Sequence, residues 1–89
     1  MSLTQIRYFI AVAQEGHVGR AAQGLRIAQP AVSRQLKNLE AELGARLFVR
    51  TPRGMQLSAS GEVFLEHARG IVARVERATR AVKTSRNGS

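Results

Sequence analysis

Cysteine is absent from this chain, and so is aspartate. Without cysteine there is no disulfide, no thiolate to hold a metal and no thiol nucleophile. A reducing compartment fits that absence, and a cytoplasmic location is the expectation. Without aspartate, the acidic side rests on six glutamates alone, against 14 arginines and lysines, for a net charge of +8. Long apolar runs are missing too. None approaches the roughly 20 residues of a membrane span, so no membrane partner is expected. The opening "MSLTQIRYFIAVAQEG" is amphipathic and lacks a small-residue cleavage site, so it does not read as a secretion signal. His17 and His67 stand far apart with no cysteine or aspartate beside them, which leaves no metal-ligand pattern. No serine has a histidine or lysine base arranged in a motif around it. Neither an enzyme nor a cofactor is expected. There are no internal repeats. At 89 residues the chain is one domain, or one domain plus an extension. A chain so short is marginal alone and gains from a partner.

What the sequence does hold is positive charge, unevenly placed. Residues 1–19 carry Arg7 and Glu15, which cancel. Residues 20–53 carry seven basic groups against Glu40 and Glu42, for +5. Residues 58–89 carry six against three glutamates, for +3. A chain this basic fits a polyanion, and nucleic acid comes before a membrane surface.

Periodicity divides the chain into helix, helix, helix, hairpin and long helix. Leu3, Ile6, Phe9, Ile10 and Ala13 share one helical face from Leu3 to Glu15. Ser2 and Gln5 have capping-box spacing, and Gly16 is a natural stop. A short second helix is expected around Gly19 to Gly24, with a tight turn beginning at Gly24. The third helix runs from about Gln29 to Leu43, with Val32, Leu36, Leu39 and Leu43 as its apolar stripe and Gly44 as its end. In "LFVRTPRGMQL", Thr51-Pro52-Arg53-Gly54 has type I turn chemistry, which predicts a hairpin of Leu47 to Arg50 and Met55 to Leu57. Ser58 then has the character of an N-cap. Beyond it Phe64, Ala68, Ile71, Val75, Ala78 and Val82 are spaced 4, 3, 4, 3, 4, a heptad seam of nearly three repeats. Glu76 and Arg80 have i, i+4 spacing on its outer face. The fold class is therefore mainly α, with a two-stranded wing. Residues 1–57 are read as the winged unit, 58–84 as a linker and dimerisation helix, and 85–89 as a polar, frayed tail.

The third helix carries the functional signal. At 100° per residue, Leu36, Leu39 and Leu43 fall within about 40° of Val32. Pro30, Arg34, Lys37 and Ala41 lie opposite, with Ser33 and Asn38 on the shoulders. The outer strip of the first two turns has no carboxylate, as a phosphate-lined groove requires. Two helices joined by a short turn make a helix-turn-helix, whose second helix enters the major groove by its N-terminal residues. Arg34 suits guanine O6 and N7, Gln29 suits adenine, and Ser33 suits a base or phosphate. Pro30 and Ala31 suit a thymine methyl. Arg50 and Arg53 flank the wing turn, where phosphate or the minor groove is in reach. Arg20 opens the second helix toward phosphate.

"AAQGLRIAQPAVSRQLKNLEAELGARLFVRTPRGMQLSASGEVFL" resembles the N-terminal winged helix-turn-helix of LysR-type transcriptional regulators. The shared frame is Ala21-Ala22, Leu25, Gln29 to Ser33, Leu39-Glu40, Leu43-Gly44, Leu47-Phe48, Arg50, Leu57 and Gly61. With "YFIAVAQEG" and the last helix, it covers nearly the whole chain. The resemblance implies a bacterial regulator that binds pseudo-palindromic double-stranded promoter DNA as a homodimer, often as a dimer of dimers. It implies that Gln29, Pro30, Ala31, Ser33 and Arg34 approach bases or adjoining phosphates, and that Arg50 and Arg53 approach the backbone or minor groove. It also implies that linker helices pair across the dimer, commonly antiparallel. Three features depart from the family pattern. Ala28 stands where a capping serine is common. His17-Val18-Gly19 stands where Ser-Phe-Thr is common. No effector-binding domain follows within the 89 residues. A winged helix of another regulator class, such as a molybdate-responsive one, and an oligomerisation module meeting an acidic partner remain as alternatives.

Overall fold

The computed structural model describes residues 1–88, with side chains through Arg86. Its elements are α1 (Leu3–Glu15), α2 (Val18–Leu25), α3 (Gln29–Leu43), β1 (Phe48–Thr51), β2 (Gly54–Leu57) and α4 (Ala59–Gly88). Local signals set most of these ends. Ser2 and Gln5 form the anticipated capping box: Ser2 Oγ accepts from the Gln5 amide at 3.1 Å, and Gln5 Oε1 accepts from the Ser2 amide at 3.2 Å. Gly16 closes α1 in the left-handed region.

The second helix differs from its expectation. It runs through Gly24 and stops at Arg26, which takes φ +59°. The amides of Arg26 and Ile27 donate to the carbonyls of Gln23 and Ala22 at 3.1 and 3.0 Å. This closing pair satisfies the last helical carbonyls and turns Ile27 back onto the core, which offsets the cost of a left-handed arginine.

The core lies where α1, α2 and α3 meet the hairpin and the start of α4. Phe9, Val12, Val32 and Leu39 are fully buried there. Phe9 packs its ring against Phe48 at 5.3 Å and against Phe64 at 5.1 Å, linking α1 to both the wing and α4. Leu43, the last member of the α3 stripe, remains 38% exposed because the helix outruns the elements beneath it.

The hairpin is antiparallel, pairing Phe48 with Leu57 and Thr51 with Gly54. It is one residue displaced from its expected start, since Leu47 is a buried lead-in rather than a strand residue. Thr51 Oγ1 accepts from the Arg53 amide at 3.1 Å and donates to the Gly54 carbonyl at 3.0 Å, which locks the turn. Gly54 sits at φ +111°, and a Cβ there would lie 2.6 Å from the Gly16 carbonyl oxygen. That close approach lets the Met55 amide donate to Gly16 at 3.0 Å, so the wing is tied to the end of α1.

Ser58 caps α4, its Oγ accepting from the Gly61 amide at 2.9 Å and donating to the Arg46 carbonyl at 2.6 Å. The first turns of α4 press onto the chain before β1; a Cβ on Gly61 would lie 2.0 Å from the Leu47 carbonyl oxygen. The start of the heptad seam packs inward as well. Ala68 is fully buried in the core of its own chain and has no surface left for a second one. Phe64 is half-buried against Phe9. Only later does α4 leave the core, and every described side chain from Glu76 to Arg86 is exposed. Residues 85–88, expected as frayed tail, continue the helix, while Ser89 lies outside the described residues. No ion pair joins Glu76 to Arg80 among the described residues; two long exposed side chains gain little by pairing in water. The projecting α4 stretches the molecule to 54 × 26 × 21 Å. Among the described residues, no helix is long and apolar enough to cross a membrane.

Candidate nucleic-acid interface

Three elements converge on one face. The first two turns of α3 stand between the N-terminus of α2 and the hairpin. Gln29 and Ser33 line an open cleft with His17 and Gly19 on one side and Arg50 and Arg53 on the other. A second cleft continues past Ser33 to Lys37, Glu40, Arg46 and Arg50. On the far side of Gln29, a hollow holds Arg20 and Arg26. Of the expected recognition residues, Arg20, Gln29, Ser33, Lys37, Arg50 and Arg53 line these adjoining hollows. Arg34 lines none of these clefts; it stands with Pro30 and Lys37 on the exposed outer strip of α3. Ala31 and Ser33 are partly covered on the shoulders.

The carboxylates of this basic segment are spoken for. Glu40 accepts from the Leu47 amide at 2.7 Å and stands 4.0 Å from Arg46 Nε, with only 18% of its side chain exposed. Glu42 pairs with the N-terminal ammonium at 2.6 Å. Arg20, Arg34, Lys37, Arg50 and Arg53 are exposed and have no ion-pair partner among the described residues. The face thus carries uncompensated cations beside amide and hydroxyl groups. No carboxylate lines the cleft between α3 and the wing turn. An anionic lattice of phosphates is the chemistry such a surface fits.

Helix α3 begins without a side-chain cap, as Ala28 implies. Its first turn forms nonetheless. The Ala28 carbonyl accepts from both Ala31 and Val32, at 3.0 and 3.3 Å, and Pro30 has no amide to leave unpaired. The remaining free N–H dipoles add positive potential at the N-terminal end of α3.

Sequence reasoning missed three members of this face. Arg46, with 84% of its side chain exposed, bridges Lys37 to the wing. It falls in an irregular link, where helix periodicity gives no orientation. Arg26 joins Arg20 only because the helix stop turns the chain there. His17 caps α2 and also walls the cleft. Among the described residues, no group of three or more histidines and glutamates gathers closely enough to hold a metal ion.

The profile of bacterial regulatory helix-turn-helix proteins of the lysR family matches residues 3–62. The chain belongs to that family. It is similar to the transcriptional regulator TfdT of Cupriavidus pinatubonensis (strain JMP 134 / LMG 1197), with 46% identity over 88 residues, covering 99% of this chain and 39% of TfdT. The chain thus spans well under half the length of that relative. It also superposes on the DNA complex of the CbnR DNA-binding domain with a TM-score of 0.90 at 41% identity, covering 96% of this chain and 98% of that one. The complex of the BenM DNA-binding domain with benA site 1 DNA gives a TM-score of 0.90 at 38% identity, covering 94% and 98%. The LysR-type fold is a winged helix-turn-helix DNA-binding domain, and α2, α3 and the hairpin form it here.

Proposed function

We propose that this chain binds pseudo-palindromic promoter DNA as a homodimer. Helix α3 enters the major groove, where Arg34 takes a guanine edge and Gln29 an adenine edge. Ser33 donates to a base or phosphate, and Pro30 and Ala31 meet a thymine methyl. Lys37 and Arg46 follow the backbone, Arg20 holds a flanking phosphate, and Arg50 and Arg53 lie on the backbone or minor groove. The observation that carries this reading is the carboxylate-free cleft in which Gln29 and Ser33 face Arg50 and Arg53. The likeness to two DNA-bound domains supports it. As a regulator of transcription, the chain has a binding role rather than an enzymatic one, and it works in the cytoplasm.

Dimerisation through α4 is supported by its uncovered apolar flank. Val63, Ile71 and Val82 are 62%, 40% and 69% exposed, and Leu43 adds to them at 38%. With Phe64 and Ala68 turned inward, the seam narrows to Ile71, Val75, Ala78 and Val82. The groove of Leu43, Leu47, Val63 and His67 receives the partner's helix beside it. Two such helices packed antiparallel hold two α3 helices apart on one side of a duplex.

Titration with duplexes recovered by selection from random sequence tests the DNA reading. Log affinity against log salt should fall with a slope of about −0.9 per neutralised phosphate, hence several units for this face. A flat plot would favour an oligomerisation module with an acidic protein partner.

A further inference from the structure

Gln29, exposed at the start of α3, lies beside the start of α2. The Nδ1 atom of His17 accepts from the Arg20 amide at 3.2 Å, which caps α2 and fixes the imidazole in place. A Cβ added to Gly19 would lie 2.9 Å from His17 Cε1 and 3.3 Å from Gln29 Oε1. The ring and the carboxamide therefore pack over the same bare Cα. Both side chains line both hollows that flank them, one containing Arg20 and Arg26, the other Arg50 and Arg53.

We propose that His17 is a positioning residue for Gln29. Its capped ring and the bare Gly19 form a bracket that fixes the Gln29 carboxamide before a base arrives. Base preference at one position of the DNA site is then set from α2, outside the recognition helix. The physical gain is preorganisation. A free glutamine loses much rotamer freedom when it docks on a base edge, and an orientation fixed beforehand removes part of that cost. Its orientation also decides whether donor or acceptor is presented first, so the bracket acts on selectivity as well as affinity. The inference rests on the DNA-binding reading above.

Two substitutions separate positioning from folding. His17→Ser keeps a strong N-cap for α2 while removing the ring. Gly19→Ala favours the helix intrinsically while filling the space over which ring and carboxamide meet. Both should leave the thermal midpoint near that of the unaltered chain. The probe is the duplex recovered by selection from random sequence with the unaltered 89-residue chain. On it, His17→Ser should weaken binding about twofold to tenfold. Repeated selection with either variant should relax preference at a single base pair. In a Gln29→Ala background, His17→Ser should cost nothing further. Losses from His17→Ser and Gln29→Ala that simply add, with base preference intact, would overturn the bracket while leaving DNA binding standing. Failure of the unaltered chain to bind any duplex would overturn both.

Discussion

Arg34 projects from the outer strip of α3 with no ion-pair partner of its own among the described residues. Its role is therefore separable from folding. Arg34→Ala should cost about 1–3 kcal/mol on the selected duplex and flatten preference at one base pair. Equal loss on selected and random duplexes, measured by fluorescence anisotropy, would reduce Arg34 to a phosphate clamp. Gly61 presents the opposite case, a buried residue whose missing Cβ makes room for the Leu47 carbonyl. Gly61→Ala forces α4 away from that carbonyl and should destabilise the fold by about 3 kcal/mol, the upper part of the range for overpacking. A lowered urea midpoint at unchanged slope is the expected readout. Neither lesson comes from composition: the arginine face shows in a helical projection, whereas the contact at Gly61 needs both ends of a long-range approach.

At the scale of elements, the helix starts differ in how well they are tied. Helices α1, α2 and α4 each have a side-chain cap, from Ser2, His17 and Ser58. Helix α3, which carries the proposed reading residues, has none. Ala28→Ser should supply the missing acceptor and stabilise the chain by about 1 kcal/mol. For a domain of this size that raises the melting midpoint by about 4–8 °C, measurable by circular dichroism. The bounds of α1 and α3 were legible in the sequence because capping residues, an early proline and terminal glycines act within one turn of the chain. The end of α2 was not. Gly24 offered the better local stop, but the pair of bonds that closes at Arg26 seats Ile27 on a core built from other elements.

The whole molecule is a core with one helix leaving it. Helix α4 is packed at Ala68 and bare beyond Glu76, so one apolar stripe is buried at its start and uncovered farther along. Ile71→Asp with Val82→Asp places charge in the uncovered part and should shift the proposed dimer toward monomer, since burying an unpaired carboxylate is costly. Light scattering should report the lower mass while circular dichroism retains the helical signal. An unchanged mass would move the interface elsewhere.

Sequence alone determined the order of elements, the cation-rich and carboxylate-free strip of α3, and the turn that carries Arg53. These depend on interactions within a few residues or on charge counted along one helix. Tertiary structure decided which apolar residues face their own core, which stay uncovered, and which distant residues share a wall. It turned Phe64 and Ala68 inward and left Leu43 partly bare. It drew Arg46 beside the wing and set His17 against Gln29. The physical reason is the same in each case: where a helix outruns its neighbours, or where two remote segments meet, the outcome depends on the length and placement of the other elements, which no local pattern records.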